Sequence, residues 1–249
     1  MRGTGTTASV IPGARTAFVA LTGVLALTLA ACGKDDTAPA LPPLGPAVAP
    51  PTVRAEGPVP DSPALRAAIL DAQALPDGYA ALPDPAAGST AGSGSSTDPA
   101  QCAKVLAPVA QQAPDAAARA TATFGGLDFA SIDIDAAAYA GDGAARAFTA
   151  VQTLLRDCGS YSGTDAADPS ATIEFRVGSL EQPAAGDAAT AYRVVTTSQG
   201  FTLYSAVSLA LVGSTVVQIA MSGAKEPDAQ QLSALTVAQV RKLRGESGP

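Results

Sequence analysis

Ser222-Gly223-Ala224-Lys225 sets a hydroxyl three residues ahead of an amine. Acylating enzymes use this S-x-x-K spacing to pair a serine nucleophile with a lysine. Their partner motifs S-D-N and K-T-G do not occur in this chain, and the four residues close a strand-like run before Pro227. A strand-end turn is therefore the expectation. Asp133 and Asp135 alternate with Ile132 and Ile134, so both point to one face of a strand, with Asp128 nearby. Such a group offers a carboxylate pair or a Ca²⁺ site, but the EF-hand order D-x-[DN]-x-[DN]-G and its distal Glu are missing. A solvated strand face is expected. Tyr139, Tyr192 and Tyr204 could line a cleft for a glycan or lipid, yet at strand positions they read as half-buried packing residues with a wet hydroxyl. The chain has no histidine. That excludes Ser-His-Asp and Cys-His catalysis and removes the usual near-neutral proton carrier. No catalytic residue, metal or cofactor is expected, and the chain reads as a non-enzyme.

The three cysteines point to location. Met1 to Thr16 carries Arg2 and Arg15 and no acid, and Ala17 to Ala31 is an uncharged, mostly apolar run. A basic start, a short apolar stretch and small residues at its end mark a secretory signal. At 1.5 Å per residue the run spans only ~22 Å, short of the ~30 Å bilayer core. Leu29-Ala30-Ala31-Cys32 resembles a bacterial lipobox, in which the Cys takes a diacylglyceryl group and becomes the first mature residue. Two acyl chains are enough for stable anchoring. The other reading is a simple signal cut after an A-x-A-like site. With Cys32 assigned to lipidation, Cys102 and Cys158 form an even pair, most simply a disulfide in an oxidising compartment. Two thiolates without histidine do not complete a tetrahedral metal site, and the C-x-x-C spacing of a redox pair is absent.

Removing residues 1–31 leaves 218 residues with 13 basic against 22 acidic side chains, a net charge of −9. That balance excludes nucleic acid as a partner and argues against an electrostatic grip on anionic lipid. Heavy use of Ala and Pro suggests a GC-rich, actinobacterial genome. The expected organisation is a signal over 1–31, a lipid-anchored Pro/Ala-rich linker over 32–60, one domain over 61–245 and a disordered tail over 246–249. The prolines of Gly33 to Pro60 favour extended chain that lifts the domain off the membrane.

Ser62 and Pro63 open a first helix that must stop before Pro76. Ala86 to Thr97 reads as a flexible loop. Asp98, Pro99 and Gln101 signal the start of a second helix, with Cys102, Val105, Leu106 and Val109 on one face and Pro108 kinking or ending it. From Ala117 the period becomes two. A third helix runs from about Gly143 to Asp157, capped by Asp142, with Ala144, Phe148, Val151 and Cys158 on its apolar stripe. Strands follow around Ile173–Val177, Tyr192–Thr196, Phe201–Val212 and Thr215–Met221, joined by Gly-bearing turns, and Pro227 opens a last helix. This order argues α+β: an antiparallel β-sheet with helices packed on one face and one disulfide.

The entry helix ending in Leu75-Pro76-Asp77-Gly78-Tyr79, the helical Cys102, the strand-then-helix run from Ile132 to Cys158 and the paired late strands together resemble the extracellular sensor domains of the PknH-like family. These occur on actinobacterial kinases and as free-standing lipoproteins. The resemblance covers roughly residues 62–244. It implies ligand binding in a cleft between sheet and helices, and it carries over no functional residue. The expected function is a membrane-anchored, extracytoplasmic, non-catalytic ligand-binding or sensor-like module of the cell envelope. The alternative is a lipid or acyl-chain carrier lipoprotein. Expected partners are the membrane, through the lipid anchor, and a small molecule, glycan or lipid; its binding residues are not identifiable from sequence.

Overall fold

The computed structural model of the chain describes residues 40–52, 58–83 and 96–246. The signal, Cys32, residues 33–39 and most of the expected loop 86–97 lie outside them. An antiparallel sheet of nine strands organises the rest: β1 (Ala80–Ala81), β2 (Ser96–Asp98), β3 (Ala118–Gly125), β4 (Ser131–Ala138), β5 (Ser160–Thr164), β6 (Thr172–Ser179), β7 (Ala188–Ser198), β8 (Phe201–Val212) and β9 (Thr215–Gly223). Their order is β1-β3-β4-β9-β8-β7-β6-β5-β2. The helices are α1 (Ser62–Ala67), α2 (Val109–Gln112), α3 (Gly143–Asp157) and α4 (Ala229–Leu243). The expected class, α+β with an antiparallel sheet and one disulfide, is the class observed. No helix among the described residues is long and apolar enough to cross a membrane.

The helices cover both faces of the sheet, where one covered face was expected. Val207, Leu209, Leu211 and Val216 pack with Phe148, Val151 and Leu155 of α3. The residues between them, Ala206, Ala210, Val217 and Ile219, pack with Leu65 of α1 and with Leu232, Leu235 and Val240 of α4. The cause lies in β8 and β9, where small apolar residues occupy the alternate positions as well. A strand apolar on both sides has to be covered on both.

α3 spans the range expected for it, and Cys158 stands at its C-cap. The second helix does not form as expected. Residues 96–98 join β5 as an edge strand, leaving a 3₁₀ turn over Ala100–Lys104, and Pro108 starts the four-residue α2 afresh. Leu106 is accordingly exposed instead of facing the core. Cys102, in the 3₁₀ turn, is bonded to Cys158 with Cα atoms 5.6 Å apart. Both cysteines are fully buried.

Two glutamines fasten upstream chain to the helices. On one face, Gln239 of α4 accepts a hydrogen bond from the Leu70 amide at 2.9 Å and donates one to the Ala68 carbonyl at 2.8 Å. On the other, Gln152 of α3 accepts from the Val48 amide at 2.8 Å and donates to the Val48 carbonyl at 3.0 Å. Residues 41–48 of the expected linker therefore lie along the domain. The Ser179 amide bonds the Pro42 carbonyl, and Arg156 donates to the Gly45 carbonyl. Gly178 permits this approach: a Cβ there would stand 2.5 Å from the Leu41 Cβ. Gln239→Leu will strand the buried Leu70 amide without an acceptor, at a cost of about 1–3 kcal/mol. A thermal melt should show a midpoint several degrees lower; an unchanged midpoint would mean that this clasp contributes nothing.

Candidate functional site

The central strands carry one polar row on the face beneath α2. Thr121 of β3, Asp135 of β4 and Gln218 of β9 are consecutive register partners. Asp135 and Gln218 are buried. α2 sits on this row because its exposed backbone and side-chain groups find partners there. The Val109 amide, at the start of α2, donates to Asp135 Oδ1 at 3.1 Å. Gln112 Nε2 donates to Gln218 Oε1 at 3.2 Å and to the Val105 carbonyl at 3.0 Å. The Tyr192 hydroxyl lies within reach of both oxygens, 3.2 Å from the Val105 carbonyl and 3.3 Å from Gln218 Oε1.

Asp135 was expected on a solvated strand face, and the structure corrects that. Burial beneath α2 pushes its carboxyl up to about 7; the Val109 amide opposes the rise and the charge of Asp133 adds to it. Near neutral pH the group thus changes between a carboxylic acid that can donate and a carboxylate that only accepts. It forms part of the wall of a surface cleft of about 610 Å³, together with Arg119, Thr121, Gln111, Arg66 and Pro108. A carboxyl group with a raised pKa, set in a cleft with two guanidinium groups, makes this cleft the candidate site.

Among the described residues, Asp133 and Asp128 are not gathered with other acids into a cation site. Asp133 is half-buried and accepts from the Ser131 hydroxyl at 3.1 Å, while Asp128 sits in the turn between β3 and β4. The tyrosines do not line a common cleft. Tyr139 is buried and its hydroxyl donates to the Ala113 carbonyl at 2.7 Å; Tyr192 is fully buried. Burial pushes the phenol of Tyr139 up to about 12, with the charge of Asp135 contributing. Ser222 ends in a hydroxyl pair with Ser205 at 2.8 Å, in a strand and not on a helix.

Gln112, Gln218 and Arg119 were not foreseen from sequence. Gln218 did carry a signal, as the one amide inside the apolar run Val216-Val217-Gln218-Ile219. A second cleft, of about 580 Å³, opens where the 41–48 segment crosses α3, with Gln152, Arg156, Ser208 and Thr236 in its walls.

No family model matches the chain, and no curated protein matches it. Among solved structures it is similar to the extracellular domain of PknH from Mycobacterium tuberculosis, at 14% identity over 72% of this chain and 94% of that one, with a TM-score of 0.48. It is also similar to an Rv0999 ortholog from Mycobacterium smegmatis, at 15% identity over 68% of this chain and 92% of that one, with a TM-score of 0.34.

Proposed function

We propose that the chain is a lipid-anchored, extracytoplasmic, non-catalytic module that binds a polar small molecule or a glycan in the cleft of Asp135 and Arg119. The observation that carries this reading is the buried, near-neutral carboxyl group of Asp135 in a cleft with Arg119, Arg66, Thr121 and Gln111. These groups offer acceptors and donors together, as a ligand with several hydroxyl or carboxyl groups requires. Residues 1–32 support anchoring through Cys32. The Cys102–Cys158 disulfide supports an oxidising compartment outside the cytoplasm. The carrier alternative needs a hollow between sheet and helices, whereas those interfaces are filled by side chains such as Phe148, Val151, Leu209 and Ile219, at 0–1% exposure.

Native mass spectrometry of the mature protein from its own host tests both parts. The expected result is a chain beginning at lipidated Cys32 that retains a small polar molecule, and Asp135→Asn should reduce that occupancy. A bare chain in wild type and variant alike would overturn the binding reading. A mass without lipid would overturn the anchor.

A further inference from the structure

Among the described residues, eight large hydrophobic side chains are exposed, and four of them stand on or just beyond two hairpin turns. Leu127 (83% exposed) and Phe129 (91%) belong to the turn between β3 and β4; Phe201 (80%) and Leu203 (38%) follow the turn between β7 and β8. The register Ser131–Ser222–Ser205 puts both turns at the same end of the sheet. Two strand spacings separate them, roughly 10 Å. The first turn is closed by the Ala130 amide on the Leu127 carbonyl, and its central residues Asp128 and Phe129 have φ of 55° and 61°. Glycine is the usual residue in such a left-handed position, and a phenylalanine there is strained. Phe129 thus combines backbone strain with nearly complete exposure.

We propose that these two turns rest in the lipid–water interface of the membrane that holds Cys32, so that the domain docks on the bilayer tip first. This rests on the anchoring reading above. The length of chain ahead of the docked segment selects a bilayer as the occupant. From Cys32 to Ala40 there are eight residue steps, at most roughly 29 Å when fully extended. Leu41 and Pro42 are fixed against Gly178 and Ser179, and the chain then runs toward Val48, away from the two turns. Gly178 is aligned through Arg193 with Ala206, five residues up β8 from Phe201, or about 17 Å. The tether therefore reaches the level of the turns and little beyond it. Separate protruding side chains suit a fluid surface, which closes around each one, better than a protein partner, which needs a continuous patch. Tyr79 and Lys225, beside Leu127 and Phe129 in a shared cleft, are side chains suited to headgroup depth. Asp128 and the acidic net charge leave apolar insertion, and not attraction to anionic lipid, as the source of the contact.

The chain has no tryptophan, so Phe129→Trp gives a single fluorescent reporter at the turn. Val237→Trp, on the outer side of α4, gives a reference. Each mature protein is placed in phosphatidylcholine vesicles with brominated acyl chains, after its intact mass has established lipidation. The Phe129→Trp indole should shift to the blue and be quenched several-fold more than the reference. Equal quenching in the two lipidated variants overturns docking alone. A blue shift without quenching also overturns it, because burial is then against protein. An unlipidated mass overturns the anchoring reading, and the tether argument with it.

Discussion

Replacing Cys102 and Cys158 together with alanine should lower the unfolding midpoint by roughly 8–16 °C. The bond closes a loop across a sequence separation of 56. Chain-entropy reasoning assigns such a loop about 4 kcal/mol, and a domain of this size loses about 2–4 °C per kcal/mol. Position adds to the effect. The bond joins the short turn that leads into Val105 and α2 to the end of α3, and without it α2 is held to the sheet by packing and by the hydrogen bonds of Asp135, Gln218, Tyr139 and Tyr192. Both cysteines are at 0% exposure. Reductant at room temperature should therefore leave the folded protein oxidised and act only as heat opens the chain. Calorimetry with and without reductant measures this. A midpoint insensitive to both mutation and reductant would show that the bond restrains nothing.

Asp135→Asn should make the protein more stable at pH 8 and leave it nearly unchanged at pH 4. The folded chain holds the Asp135 proton up to about pH 7, whereas an ordinary aspartate releases it near 3.8. Between those values the folded state binds more protons than the unfolded state, so the contribution of this group to stability falls as pH rises. The contribution is complete below about pH 4, declines through pH 7 and is flat above it. A shift of this size corresponds to roughly 4 kcal/mol at most. Asparagine cannot ionise, and its carbonyl still accepts the Val109 amide, so the variant escapes the decline. Urea titrations of both proteins at pH 4, 6 and 8 give the comparison. A variant less stable than wild type at pH 8 would mean that the carboxylate is paired and favourable in the fold.

The elements with strong local signals were legible in the sequence. α3 begins at the expected residue because Gly141 and Asp142 punctuate a clear 3.6-residue stripe, and the hairpins at Gly200 and Gly213 follow from glycines in left-handed conformations. What escaped was set by tertiary contact. β2 is three residues long and exists through its pairing with β5; locally, residues 96 and 97 read as the end of a flexible loop and Asp98 as the cap of a helix. The second covered face was written in Ala206, Ala210 and Val217, but the larger side chains on the opposite parity dominated the pattern. Asp135 alternates as a surface residue should. Only the arrival of α2, from 26 positions upstream, buries it. The cleft proposed for binding was illegible for the same reason, since Arg66, Gln111, Arg119 and Asp135 come from four separate elements.

Gln152 and Gln239 hold chain that lies 104 and 169 positions upstream. A polypeptide that emerges amino end first from a ribosome or a translocation pore cannot close the first clasp until α3 is out, nor the second until the last helix is out. Contacts so remote in sequence also make closure slow. Loss of α4 would not trim the domain at its margin. It would unpin α1 and uncover one side of the sheet, leaving a product for quality-control proteases.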